Sequence, residues 1–117
     1  MAVGDRGAQF IAQNLRNLTY LNISNQWRYS GKNSIGDSGV TAIAQNLRDL
    51  TELNIGNQWS YSEKNSVGES GATAIARNLG NLTELNISKQ WIYSDNNNVG
   101  DSGATAITRN LVNLTAL

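Results

Sequence analysis

The chain repeats itself at a fixed interval of 32 residues over its length of 117 residues. Units that begin at Leu18, Leu50 and Leu82 align without a gap, and more than half of their positions are identical in all three. A fixed period in this range is typical of solenoids, in which each unit contacts mainly its neighbours. We therefore predict a single repeat array over residues 1–117. Its parts are a partial first unit (1–17), full units 18–49, 50–81 and 82–113, and a partial last unit (114–117).

Each unit contains a strand pattern followed by a helix pattern. In the first full unit, Leu21 and Ile23 alternate with the polar Asn22, which predicts a short strand over residues 19–23. Further on, apolar residues recur at the i, i+3, i+4 and i+7 spacing of one helix face. These residues are Val40, Ile43, Ala44 and Leu47. The unit is therefore predicted to be strand, loop and helix, and the fold class to be α/β.

A single unit has too few apolar residues to form a core of its own. Neighbouring units must share a core and a parallel strand ladder, so we expect Leu21, Leu53 and Leu85 to lie opposite one another on adjacent strands. At the helix entry, Asp37 or Ser38 can accept hydrogen bonds from the free amides of the first turn, and Asp37 also suits the positive end of the helix dipole. The same role accounts for the acidic residues at the later helix starts, which are Glu69 and Asp101.

The motif Leu-x-x-Leu-x-Ile (18–23), followed by Asn-x-Ile-Gly-Asp-x-Gly (33–39) and a helix, resembles the leucine-rich repeat. The turn into a full helix resembles the ribonuclease-inhibitor-like subclass in particular. The resemblance implies a short horseshoe-shaped solenoid with parallel β-strands on its concave face and α-helices on its convex face. It also implies a protein-binding module and a buried, structural asparagine ladder. The ladder residues would be Asn33, Asn65 and Asn97.

The repeat departs from the family at one point. Ten residues separate Ile23 from Asn33, where the family has three, so each unit carries an insertion of about seven residues at the carboxyl end of its strand. Without this insertion the period falls to 25, inside the usual range of 20–29 residues. The insertions are residues 26–32, 58–64 and 90–96.

The strand positions that the family exposes on its concave face are the first candidates for partner binding. They are Tyr20, Glu52 and Glu84 in one row, Asn22, Asn54 and Asn86 in a second, and Ser24, Gly56 and Ser88 in a third. The alternative for the asparagine row is structural, because stacked amides can form hydrogen bonds along a ladder of strands.

The inserted segments supply a second group of candidates, which are the aromatic residues Trp27, Trp59, Trp91, Tyr29, Tyr61 and Tyr93. Trp and Tyr are enriched in binding hot spots, so a row of them could form an aromatic ridge for a partner. In the alternative, the rings stack between repeats and pack the loops. The residues between the rings vary from unit to unit. This fits either a surface loop under little constraint or a constant framework that presents different side chains to a partner.

Composition excludes most catalytic chemistries. The chain has no Cys and no His, so thiolate or imidazole metal sites, cysteine nucleophiles and a Ser-His-Asp triad are ruled out. We expect no enzyme activity, catalytic residue, cofactor or metal. Nine basic and nine acidic residues balance, which argues against nucleic acid or an anionic membrane as a partner. No apolar run has the length of a membrane span or a signal peptide, and the compartment stays open.

The last unit lacks the polar features of a capping unit, whereas the first helix is partly adapted, since Arg6 and Gln9 replace the Ser and Thr of later units. The last unit stops at Leu117 within a predicted strand, and Val112 and Ala116 replace polar residues or glycine of other units. Either the chain is part of a longer array, or its terminal faces associate into a homo-oligomer. The sequence thus favours a non-catalytic protein–protein interaction module. The alternatives are a structural assembly unit that self-associates through its ends and, more remotely, carbohydrate binding by the stacked aromatics.

Overall fold

A computed structural model describes residues 4–24, 35–56, 67–87 and 100–115. Within these ranges four helices alternate with three short strands, so the predicted α/β class is confirmed at this level. The elements in chain order are α1 (Asp5–Asn14), β1 (Tyr20–Asn22), α2 (Asp37–Asn46), β2 (Glu52–Asn54), α3 (Glu69–Asn78), β3 (Glu84–Asn86) and α4 (Gly100–Asn110).

The three strands form one parallel sheet in the order β1-β2-β3. Leu21 lies opposite Leu53, and Leu53 lies opposite Leu85, as the 32-residue spacing predicts. The strands are three residues long, shorter than predicted, although backbone pairing extends beyond them. The Thr51 amide donates to the Thr19 carbonyl at 2.7 Å, and the Ile23 amide donates to the Asn54 carbonyl at 2.9 Å.

The strands and helices share one apolar core. Consecutive helices pack against each other, α1 on α2, α2 on α3 and α3 on α4. Ile43, Ile75 and Ile107 are buried in a cluster that also contains the strand leucines. Full burial of each aliphatic side chain contributes about 1.5–3 kcal/mol, so this shared cluster is the main source of stability.

The aspartates at the helix entries cap the next helix, so the prediction that Asp37 caps its own helix is wrong. Asp37 is the first residue of α2, and Gly36 stands at the cap position without a side-chain bond. The Asp37 Oδ1 atom accepts hydrogen bonds from the amides of Gly68 and Gly71, both at 2.8 Å, at the start of α3. The position whose side chain usually accepts from the free amides of α2 is held by Gly36, which has no side chain.

Gly39 in α2 and Gly71 in α3 lie close to the aspartate at the start of the preceding helix, which requires glycine at both positions. A Cβ atom at Gly39 would lie 2.5 Å from the Asp5 Oδ1 atom, and one at Gly71 would lie 2.7 Å from the Asp37 Oδ1 atom. Both distances are too short for a real contact. Glycine at these two positions therefore makes room for the packing of one helix start against the aspartate of the helix before it.

A ladder of threonines connects the strand starts, and the sequence reading did not anticipate it. The Oγ1 atom of Thr51 donates to the Thr19 carbonyl at 3.1 Å, and that of Thr83 donates to the Thr51 carbonyl at 3.1 Å. Thr115 continues the series with a 3.0 Å bond to the Thr83 carbonyl. The side-chain bonds add to the backbone amide bonds of the same residues, which fixes the strand register at its amino end.

Candidate interaction surface on the strand face

The strand face consists of the side chains that flank the buried strand leucines on the solvent side of the sheet. Pairing places Tyr20 beside Glu52 and Glu52 beside Glu84, so the first predicted row is assembled. Tyr20 is 57% exposed and Glu84 is exposed, whereas Glu52 is half-buried because a strand lies on either side of it. The row thus offers one aromatic ring and two adjacent carboxylates to a partner.

The asparagine row is also assembled, with Asn22 beside Asn54 and Asn54 beside Asn86. The structural alternative is that the stacked asparagines form hydrogen bonds to one another along the ladder. This is wrong for the described contacts of the Oδ1 atoms of Asn22 and Asn54. The Asn22 Oδ1 atom accepts bonds from the amide and the hydroxyl of Ser24, at 3.1 and 2.9 Å. The Asn54 Oδ1 atom accepts a 3.0 Å bond from the amide two residues later. These oxygens therefore close the turn after each strand.

The two described residues of the third row, Ser24 and Gly56, do not form a binding surface. Ser24 is only 7% exposed and Gly56 is buried, which corrects the expectation that both positions face solvent. The Ser24 hydroxyl bonds to the side chain of Asn22, and a Cβ atom at Gly56 would lie 2.8 Å from the Asn86 Oδ1 atom. Ser88 lies outside the described residues.

Among the described residues, the charges on the strand face have one sign. Glu52 and Glu84 are neighbours in register, and like charges directly opposite each other on adjacent strands repel. In the described ranges, all arginines lie in the helices or in the turns that follow them, which are Arg6, Arg16, Arg48, Arg77 and Arg109. A partner that carries Lys or Arg would therefore relieve the repulsion between the two carboxylates.

The aromatic candidates all lie outside the described residues. These are Trp27, Trp59, Trp91, Tyr29, Tyr61 and Tyr93, and the expected ladder residues Asn33, Asn65 and Asn97 lie outside as well. The segments that contain them join the carboxyl end of each strand to the next helix, so they connect to the same edge of the sheet.

The sequence reading missed a groove between α3 and α4, on the helix side of the molecule. It is lined by seven residues that include Arg77 and Arg109. The sequence does contain a signal for this groove. The helix position that holds arginine in α3 and α4 holds glutamine in α1 and α2, as Gln13 and Gln45.

Among the described residues, no group of three or more His, Cys, Asp or Glu side chains could hold a metal ion. In the same ranges no helix is long and apolar enough to cross a membrane. No protein-family model matches the chain, and no curated protein is significantly similar to it in sequence.

Proposed function

We propose that the chain is a leucine-rich-repeat solenoid of the ribonuclease-inhibitor-like type that acts as a non-catalytic protein-binding module. The fold assignment is supported by the 32-residue repeat, by parallel strands paired one unit apart, and by helices that pack in chain order. The leucine motif and the helix-entry motif of each unit support the family.

The single observation that carries the proposed function is the row formed by Tyr20, Glu52 and Glu84. Their backbone is fixed by strand pairing over a buried leucine core, so the strands lose little conformational freedom when a partner binds. Tyr is enriched in binding hot spots, and the paired carboxylates favour a partner with a basic surface. The Trp- and Tyr-bearing insertions extend from the same edge of the sheet and would enlarge the contact.

The test is affinity capture with the whole chain, followed by titration of the captured protein with purified variants. Tyr20→Ala and the double variant Glu52→Lys/Glu84→Lys should each weaken binding at least about tenfold, as expected for central contacts of an interface. The double variant Trp59→Ala/Tyr61→Ala examines the insertions in the same titration.

Glu69→Lys supplies the matched control, because this exposed carboxylate lies in the first turn of α3 on the helix side. It changes the net charge in the same direction and should leave the affinity within about twofold of wild type. If the strand-face variants bound as tightly as Glu69→Lys, the proposed surface would be wrong.

A second candidate function, assembly through the end faces of the array, is favoured by unequal burial of equivalent residues. Leu15 is 50% exposed, whereas Leu47 and Leu79, one and two units later, are completely buried. At the other end Val112 is 82% exposed. Sedimentation equilibrium of the 117-residue chain should then show a mass that rises with concentration. A constant monomer mass, or no change in the variant Leu15→Glu, would contradict this candidate.

A further inference from the structure

The groove between α3 and α4 has a volume of about 470 Å³ and opens to solvent. Arg77 from α3 and Arg109 from α4 lie along it, and the side chains of Thr73, Thr105 and Asn110 add further hydrogen-bonding groups. Among the residues whose side chains the structure describes, no acidic residue lines it and no hydrogen bond engages either guanidinium group. The groove therefore collects unneutralised positive charge and polar groups in one place.

Two side-chain bridges cross the corresponding places between the earlier helices. The Gln9 Nε2 atom donates to the Ser38 Oγ atom at 2.9 Å between α1 and α2, and the Arg48 Nη2 atom donates to the Asn78 Oδ1 atom at 3.0 Å next to α3. In the third unit the position of Gln9 holds Thr73, which is shorter.

The position of Arg48 holds Gly80 in that unit, and a Cβ atom there would meet nothing within 4 Å. Threonine also holds the position of Gln9 in α2, as Thr41, so the change from Arg48 to Gly80 is what separates this groove from the place between α2 and α3. Here the Asn113 Nδ2 atom donates to the Gly80 carbonyl at 3.2 Å. The same unit and the next one gain Arg77 and Arg109 where the earlier units have glutamine.

We propose that this groove binds an acidic peptide segment of a partner protein, with a carboxylate paired to each arginine. Guanidinium groups match carboxylates with two parallel hydrogen bonds, and threonine hydroxyls can donate to the remaining oxygens. Small-molecule sites are mostly apolar and enclose their ligand, whereas this groove is open, and Ala106 is the one apolar residue among the described residues that line it. An extended peptide laid across two helices fits that geometry. This site is independent of the strand face and does not rest on the function proposed above.

The test is fluorescence anisotropy with the whole chain and a fluorescein-labelled peptide of alternating Glu and Gly, at low ionic strength. Arg77→Gln and Arg109→Gln should each raise the dissociation constant about threefold, and the double variant about tenfold. Glutamine is a suitable replacement because Gln13 and Gln45 occupy the same helix position in the earlier units. A peptide of alternating Gln and Gly should not bind.

The matched control is Arg16→Gln, which removes one positive charge from an exposed arginine in the turn after α1. It should change the dissociation constant less than about twofold, and Glu52→Gln on the strand face should not weaken binding. The proposal fails if Arg16→Gln weakens binding as much as the groove variants, or if the double variant binds like wild type. If inorganic phosphate displaced the peptide at concentrations below the peptide's dissociation constant, the groove would be a site for small anions and the peptide proposal would be wrong.

Discussion

The Oδ1 atom of Asp37 lies 2.8 Å from the amide nitrogen of Gly71, which belongs to the following helix. The same oxygen accepts a second amide, that of Gly68, and Asp5 makes the equivalent pair of bonds to the start of α2. Each of these carboxylates satisfies free amides at a helix start and lies near the positive end of that helix dipole. The start of α2 and the start of α3 are thus held by the helix before them.

Replacing Asp37 by Ala should lower the free energy of unfolding by about 2 kcal/mol, because two amides of a neighbouring helix lose a charged acceptor. Asp37→Asn keeps an oxygen at the same place and should lose about half as much. Urea denaturation followed by circular dichroism measures the change. The control is Asp49→Ala, an exposed aspartate in the turn after α2, for which we expect a change within about 0.5 kcal/mol. Equal losses for both aspartates would contradict the capping role.

Gly71→Ala should destabilise the protein by about 1–3 kcal/mol, although alanine is the better helix former, because its Cβ atom would overlap the Asp37 carboxylate. In contrast, Gly80→Ala meets open space, and we expect a change between zero and a gain of about 1 kcal/mol. Thermal or urea unfolding of the two variants provides the comparison.

The double variant Asp37→Ala/Gly71→Ala identifies the cause of the Gly71 effect. If the overlap with Asp37 is responsible, the two losses are not additive, and the double variant is more stable than their sum predicts by at least about 0.5 kcal/mol. Additive losses would show that the glycine is needed for another reason.

Leu79→Ala and Leu15→Ala should differ strongly although the two leucines occupy equivalent positions of the repeat. Leu79 is completely buried, so its truncation should cost about 2–5 kcal/mol, whereas Leu15 is half-exposed and should cost less than about 1.5 kcal/mol in the monomer. Urea unfolding at a concentration where the chain is monomeric tests this difference. Similar losses would indicate that Leu15 is covered in solution, which would favour the assembly function.

The periodic features of the fold were predictable from the sequence because they depend on residue type and spacing alone. The strand register follows from the identical spacing of Leu21, Leu53 and Leu85, since any other pairing would break the shared core. The helix positions follow from the apolar stripe, and the structure buries Val40 and Ile43 as that stripe requires.

The features that the sequence did not predict arise between units. An aspartate at a helix start suggests a cap for its own helix, and only the distance between helices shows that Asp37 serves the next one. Strand alternation places Ser24 on the exposed face, but it is only 7% exposed and its hydroxyl bonds to the side chain of Asn22. The groove is lined by Arg77 from α3 and by Arg109 and Asn110 from α4, a relationship that spacing within one unit does not contain.

Glu52→Gln should raise the free energy of unfolding by about 0.2–0.5 kcal/mol at low ionic strength, because it removes repulsion from Glu84 on the neighbouring strand. The gain should diminish in about 1 M salt, where the Debye length falls to about 3 Å. The control Glu69→Gln lies on the helix side and should show no such gain. Urea denaturation of both variants at low and high salt separates the two positions. A gain at Glu52 that is independent of salt would mean that repulsion between the two carboxylates is not its cause, and would remove one reason to expect a basic partner on the strand face.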